Sequence, residues 1–171
     1  MPDIAPLIVT AAMDEGAFAW FQDLRQSHFP VHRNHVPAHL TLFHALPGEH
    51  EQAVIQALED ACRHRSPIKV QVRGPWSIGR GVAYRLSSPD LEATRANLAS
   101  VFRPWLTRQD QAPFRPHITI QNKVEPTEAA QLLTTLQLEF EPFDIYVEGL
   151  LLWRYLGGPW EAIDRFDFCA P

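Results

Sequence analysis

The pattern His-apolar-Thr-apolar occurs twice in this chain, at His39–Leu42 and at His117–Ile120, shortly after a proline in both cases. On a β-strand alternate side chains point to the same face, so the histidine and the threonine of each copy share one face. Both copies also occupy the same place in a repeated order of predicted elements: strand, helix, loop, histidine strand, helix, strand. This repeat restricts the chain to folds in which two similar units present equivalent strands.

The spacing of apolar residues and the positions of proline and glycine give the predicted elements. In the first half we predict strands at 7–11, 39–45 and 68–72, helices at 14–27 and 49–63, and a loop at 29–37. In the second half we predict strands at 82–86, 116–121, 143–155 and 162–168, helices at 89–106 and 126–136, and a loop at 107–113.

The repeated element order predicts an α+β fold with an internal duplication. The chain of 171 residues is long enough for one domain with a real core, and we predict a single domain over 1–171. Its pseudo-repeat lobes are expected at about 5–80 and 81–168, although the sequence identity between them is low. Each lobe is expected to be an antiparallel sheet with helices on its outer face, and the active-site cleft is expected between the lobes.

Composition and charge narrow the classes of partner. The chain is 46% hydrophobic and 20% charged, with a formal net charge of −5. Proteins that live on long duplex DNA usually carry a basic surface, so this balance argues against such a partner. A nucleic-acid substrate is therefore expected to be an RNA end, a short strand or a nucleotide, and we expect a monomer.

The expected compartment follows from the termini and the cysteines. The N-terminus has no basic segment followed by a long apolar stretch, so we expect no signal peptide. No run of about 18 apolar residues is present, so we expect no membrane span and no membrane partner. Cys62 and Cys169 do not form a CxxC pattern, which is typical of thiols in a reducing compartment. Together these features predict a cytoplasmic protein.

The paired histidines predict proton-transfer chemistry at a phosphate. The unperturbed pKa of histidine, about 6.5, allows one ring to be neutral and another protonated near neutral pH. His39 and His117 are therefore the predicted catalytic base and acid, in an order that the sequence does not assign. The hydroxyls of Thr41 and Thr119 are predicted to hold the phosphate oxygens.

A metal site is the main alternative chemistry. Pro30 and Pro37 interrupt any helix that would align pairs of histidines, and no cysteine or carboxylate completes a familiar ligand spacing. We therefore expect no metal and no cofactor. The histidines that suggest such a site are His28, His32, His35, His39 and His44.

Four further residues are candidates for substrate binding. Phe43 lies on the face of His39 by strict alternation and is predicted to stack on a base, although a core position is the alternative. Tyr84 is predicted to border the cleft with the same alternative. Arg115 and Arg154 are predicted to contact phosphate.

These motifs resemble those of the two-histidine (2H) phosphoesterase superfamily, and within it most resemble the group called 2′-5′ RNA ligases or RNA 2′,3′-cyclic phosphodiesterases. The family wording Pro-His-apolar-Thr-apolar is intact at Pro116–Ile120, while Ala38 separates Pro37 from the histidine in the first copy. The closing segment, Leu150–Phe168, is similar to the family's final strand, glycine-rich turn and strand. The resemblance covers essentially the whole chain.

The resemblance implies metal-independent opening of 2′,3′-cyclic phosphates on RNA 3′ ends or nucleotides, and also reversible 2′-5′ RNA ligation without a nucleotide cofactor. It implies that His39 and His117 are the acid–base pair and that Thr41 and Thr119 bind the phosphate. Two alternatives stay open at this stage. One is an RNA- or nucleotide-binding module with little catalysis. The other is a 2H enzyme that acts on another cyclic phosphate, such as cyclic ADP-ribose phosphate.

Overall fold

Seven antiparallel strands form one hydrogen-bonded sheet within residues 4–169, the part of the chain that the computed structural model describes. Helices separate most of the strands along the chain, and β3–β4 and β6–β7 are joined directly. The strands are β1 Leu7–Met13, β2 Thr41–Leu46, β3 Ile68–Ser77, β4 Val82–Ser87, β5 His117–Gln121, β6 Phe143–Tyr155 and β7 Trp160–Asp167.

Helices connect most of the strands, and their ends follow from local capping. The Asp14 carboxylate accepts a hydrogen bond from the Ala17 amide at 2.9 Å, and the Ser88 hydroxyl accepts one from the Leu91 amide at 3.2 Å, so both helix starts are capped. Pro126 begins the last helix at a position where its missing N–H costs nothing. The helices are α1 Glu15–His28, α2 Glu51–Cys62, α3 Pro89–Val101, α4 Arg108–Gln111 and α5 Pro126–Leu138.

The strand order is β2-β1-β6-β3-β4-β5, with β7 also paired to β6. The first part of β6, 143–147, pairs with β3, and its later part pairs with β1 on one side and β7 on the other. One long strand thus joins both arms of the sheet. The motif at His117 begins β5, whereas the motif at His39 begins two residues before β2, which starts at Thr41 rather than at the predicted residue 39. The two strands are the two ends of this order, so the sheet must curve strongly for the motifs to meet.

The core lies where the helices cover the sheet. All seven residues of β1 are buried, since neighbours cover both of its faces. Phe21 on α1, Leu58 on α2 and Leu91 on α3 are fully buried against the sheet. Each of these helices therefore contributes one apolar stripe to a shared core. In the described part of the chain, the helices are all too short or too polar to cross a bilayer.

The predicted α+β fold is confirmed, and its boundaries differ at a few points. Helix α3 ends at Val101 rather than near 106, because Pro104 leads the chain into a separate 3₁₀ turn. The predicted loop at 107–113 contains the short helix α4. Strand β3 continues to Ser77 through a bulge at Gly74, whose φ of +146° favours glycine. The division into two pseudo-repeat lobes stays a prediction.

Candidate active site

A cavity of about 130 Å³ lies where the two histidine strands meet. It brings together the two predicted catalytic histidines and the two predicted phosphate-binding threonines. Side chains from β1 and β7 complete its wall. The residues that line it are Ile8, His39, Thr41, His44, His117, Thr119 and Trp160.

His39 and His117 are oriented by the same backbone device. The Nδ1 of His39 lies 2.8 Å from the Pro37 carbonyl oxygen, and the Nδ1 of His117 lies 2.8 Å from the Arg115 carbonyl oxygen. A carbonyl oxygen only accepts, so Nδ1–H is the donor in both rings. Each neutral ring then keeps Nε2 unprotonated and free for a ligand, which is the arrangement that a proton acceptor requires.

The surroundings of His39 disfavour its charged form. The pKa of His39 is lowered to about 4, mainly by burial and also by the proximity of Arg25, His117 and His44, against the opposing effect of the Pro37 hydrogen bond. The Trp160 ring lies over this side of the cavity, with 4.6 Å between the two ring centroids. His39 is therefore neutral at neutral pH in the free protein.

A third histidine, His44, lies in the same cavity, held by a buried carboxylate. Its Nδ1 is 2.9 Å from Asp110 Oδ1, and the backbone amides of His44 and Ala45 donate to the same carboxylate at 2.9–3.1 Å. Asp110 is 1% exposed, and its own amide donates a hydrogen bond to the hydroxyl of Thr107, the residue that caps the start of α4. Burial would raise the pKa of Asp110, but the hydrogen bonds from His44 and Ala45 lower it below its ordinary value.

Irregular pairing of β2 explains why His44, and not Phe43, reaches the cavity. The register with β1 shifts twice, between Leu7 and Val9 and again between Val9 and Thr10. A bulge breaks the strict alternation of side chains, so the residue after Phe43 joins Thr41 on the cleft side. Phe43 is fully buried and packs edge-on against Phe102, which contradicts its predicted role in stacking on a base.

Two buried arginines anchor the histidine strands. Arg25 on α1 donates from Nη1 to the Thr119 carbonyl oxygen at 2.9 Å, and Arg95 on α3 donates from Nε to the Leu42 carbonyl oxygen at 3.2 Å. Arg95 also donates to the Asp110 carbonyl oxygen at 2.6 Å. Burial lowers the pKa of Arg25 to about 10 and lowers that of Arg95 as well. A helix from each half of the chain thus holds the motif of the other half.

The remaining predicted binding residues lie outside the cavity. Tyr84 is 2% exposed and packs among Trp20, Phe21 and Phe140, and burial raises its pKa to about 12, so it is a core residue. The strand alternation that places Thr119 in the cleft turns Tyr84, which pairs with Ile118, to the opposite face.

The two predicted arginines differ in their surroundings. Arg154 forms ion pairs with Glu51 at 2.7 Å and Glu161 at 3.2 Å, so its charge is neutralised at a distance from the cavity. Arg115 is exposed and lines a neighbouring pocket of about 370 Å³ with Arg85 and Trp76. Arg115 therefore stays a candidate for a more distant phosphate, while its backbone carbonyl orients His117.

Two further features bear on which ligands the site could hold: a second pocket and the arrangement of side chains that could bind a metal. A pocket of about 400 Å³ adjoins the cavity at His39. Most of its lining is apolar and includes Phe18 and Trp153, and Glu15, Glu148 and Arg165 add charged groups. The Trp153 indole N–H is fixed on the Thr10 hydroxyl at 2.9 Å. Across residues 4–169, no three His, Cys, Asp or Glu side chains converge in a way that could hold a metal ion.

Several functional residues escaped the sequence analysis. Trp160 follows the turn Gly157-Gly158-Pro159, and an aromatic residue directly after a hairpin turn is a signal that could have marked it. Arg25 carries no signal of its own, because its partners lie far away in the sequence. The same holds for the contact between His44 and Asp110.

Comparison with known proteins agrees with this architecture. Solved structures with the same fold include TT0787 of Thermus thermophilus (18% identity, TM-score 0.69, 96% of this chain and 98% of that one). A protein described as a phosphoesterase (20%, 0.61, 97% and 99%) and Escherichia coli LigT complexed with NADP⁺ (20%, 0.60, 97% and 98%) are also similar. No curated protein matches the chain by sequence. The model of the 2′-5′ RNA ligase superfamily, however, matches residues 13–159, and the chain belongs to that superfamily.

Proposed function

We propose that the protein is a metal-independent phosphodiesterase that opens 2′,3′-cyclic phosphates on RNA 3′ ends or nucleotides. The observation that carries the proposal is the small cavity shared by His39, His117, Thr41 and Thr119. The cavity is small, at about 130 Å³, and the histidines and threonines in its lining suit a phosphate group.

The similar structures support a nucleotide substrate. Structures of E. coli LigT are complexed with 3′-AMP, with ATP and with phosphate. In this protein, the 400 Å³ pocket beside His39 has the size of a small-ligand site and offers Phe18 and Trp153 to a base. We infer that the phosphate lies between the histidines and that the nucleoside extends into this pocket.

The proposed reaction is an in-line attack of water on phosphorus. His39 Nε2 takes a proton from the water as the new P–O bond forms. The bond from phosphorus to one ribose oxygen breaks, and His117 in its protonated form donates a proton to that oxygen from Nε2. The hydroxyls of Thr41 and Thr119 donate to the two non-bridging oxygens, where negative charge develops. The product is a phosphate monoester on the other ribose oxygen.

His39 is assigned as the base because it is neutral under working conditions. Its pKa of about 4 keeps the ring unprotonated from mildly acidic to alkaline pH. The proposal assigns the acid role to His117 in the hydrolytic direction. Ligation is the same ring opening with the 5′-hydroxyl of a second RNA in place of water: His39 takes the proton of that hydroxyl and His117 protonates the 3′ oxygen that leaves, so 2′-5′ RNA ligation is a second candidate activity of the same site.

The test is hydrolysis of nucleoside 2′,3′-cyclic phosphates and of an RNA with a cyclic phosphate end, in the presence of a chelator. His39→Ala and His117→Ala should each lower kcat/KM about 10²–10⁴-fold. His35→Ala, in the exposed loop before β2, is the matched control and should behave as the wild type. A near-native rate in either cavity variant would contradict the mechanism, and loss of the wild-type rate on chelation would favour a metal enzyme.

A screen of other cyclic phosphates and a binding measurement separate the remaining alternatives. If the wild-type protein binds RNA with a cyclic end and leaves that end unchanged, it is a binding module. If it opens only a different cyclic phosphate, the chemistry stands and the substrate is wrong.

A further inference from the structure

The three cavity histidines share one device and differ in one respect. In each ring, Nδ1 is bound to a protein acceptor, which leaves Nε2 for a ligand. For His39 and His117 the acceptor is a neutral backbone carbonyl. For His44 it is the carboxylate of Asp110, and no other cavity histidine has an anionic partner among its hydrogen bonds in the described chain.

Asp110 takes part in more hydrogen bonds than a residue with only a surface role would need. Its two oxygens accept from the His44 ring and from two successive backbone amides, and its own carbonyl accepts from the buried Arg95. The carboxylate is fully buried while the His44 side chain is 39% exposed. The burial fixes one end of the ring and leaves its other end open to the cavity and to solvent.

The proposed reaction develops negative charge that such a ring could stabilise. Opening of a cyclic diester adds negative charge to the phosphoryl oxygens, and the product monoester carries more charge than the substrate. The threonine hydroxyls are neutral donors, and His39 is neutral until it takes a proton. An imidazolium whose positive charge is offset by a fixed carboxylate can donate from Nε2–H to a phosphoryl oxygen without a rearrangement.

We propose that His44, oriented by Asp110, is a third functional histidine of the site and donates a hydrogen bond from Nε2 to the phosphoryl group. This inference rests on the proposed function for the identity of the reaction. It assigns His44 to direct contact with the phosphate, and it assigns Asp110 as a positioning residue that acts through His44.

Two substitutions of His44 separate contact with phosphate from a purely structural tie to Asp110. His44→Asn keeps an N–H near the position of Nδ1 and removes Nε2, whereas His44→Gln places an amide nitrogen near the position of Nε2. The readouts are the dissociation constant for inorganic phosphate, by calorimetry, and kcat/KM on a 2′,3′-cyclic nucleotide. We expect His44→Asn to raise the dissociation constant for phosphate and to lower kcat/KM, each about 10- to 100-fold, which is the range for loss of a hydrogen bond to a charged group. His44→Gln should recover part of both losses.

The control is His35→Asn, which should leave both quantities unchanged. Phosphate affinity and kcat/KM like those of the wild type in His44→Asn would overturn the proposal. So would equal losses in His44→Asn and His44→Gln accompanied by a lower melting temperature, or a wild-type protein that binds no phosphate. If the wild type opens no cyclic phosphate but its phosphate affinity still depends on His44, the proposed function fails and the inference stands.

A double-mutant cycle tests the role of Asp110. Asp110→Asn should weaken phosphate binding in the wild-type background and have little further effect in the His44→Asn background, because the two residues act as one unit. Additive losses would show that Asp110 acts independently of His44. If Asp110→Asn does not fold, the two His44 variants decide the proposal alone.

Discussion

The two histidine strands carry the same motif and bind their histidines to the backbone in the same way, yet their surroundings differ. The His39 side is covered by the Trp160 ring and adjoins a mostly apolar pocket, and its histidine has a strongly lowered pKa. The His117 side opens toward Arg85 and Arg115. The comparison teaches that a repeated motif supplies two equivalent imidazoles, and that the residues around them make their surroundings differ; the proposed roles of proton acceptor and proton donor follow from that difference.

The most decisive test of the difference between the two histidines uses a substrate whose leaving group needs no proton from His117. In a cyclic phosphate with sulfur in place of the leaving ribose oxygen, the leaving group departs as a thiolate and needs no proton. On this substrate His117→Ala should recover most of its loss of about 10²–10⁴-fold in kcat/KM, while His39→Ala should not. Both bridging isomers are assayed, since either ribose oxygen is a possible leaving group. Recovery by His39→Ala instead would exchange the two roles.

The next largest effect concerns the buried arginines that hold the two strands. Arg25→Met and Arg95→Met each remove hydrogen bonds from a charged donor to buried carbonyl oxygens, and each should lower the free energy of unfolding by about 2–4 kcal/mol. Arg33→Met, at an exposed position, should change it by less than about 0.5 kcal/mol. Urea titration measures all three. Equal stability of the Arg25 and Arg33 variants would mean that Arg25 is not a structural anchor.

The low pKa of His39 predicts a loss of stability in acid. Because this pKa is about 4 in the folded protein and about 6.5 in the unfolded chain, the unfolded chain binds more protons between these values. Stability is therefore present above pH 6.5 and falls as the pH is lowered toward 4, by up to about 3 kcal/mol from this group. His39→Gln removes the titration, so its unfolding free energy should fall less over this range. Parallel curves for the two proteins would contradict the assignment.

The smallest effect tests the cause of that low pKa. Trp160→Ala uncovers His39, and lower burial should raise its pKa by about one unit, from about 4 toward the ordinary value. An NMR titration of the His39 ring proton measures this shift directly. The acid limb of the pH profile of kcat/KM should move in the same direction. An unchanged titration would place the cause in the neighbouring charges rather than in burial.

The sequence alone predicts the parts of the molecule that depend on local pattern. The β-branched runs predict the strands, and the paired motifs bring His39, Thr41, His117 and Thr119 to one cavity, as the alternation of strand side chains requires. The family also follows from those motifs. What these parts have in common is that each is marked by a pattern of a few neighbouring residues, and the repeated element order indicates that the two motifs meet.

The rest depends on contacts between distant segments. A bulge in β2 decides that Phe43 enters the core and His44 the cavity, and no local pattern marks a bulge in advance. The role of His44 is visible only with Asp110, and that of Arg25 only with Thr119. Tyr84 was predicted at the cleft because strand aromatics suit either face, and only the pairing with β5 fixes which one it takes.

The long strand β6 has a consequence for the time course of folding. Its first part pairs with β3 and its later part with β1 and β7. Strand β1 can therefore form its pairing with β6 only after β6 has been synthesised. Contacts between such distant segments carry a high entropic cost and form late. The candidate site, with Ile8 at one wall and Trp160 at the other, is thus completed only after β7 has been synthesised.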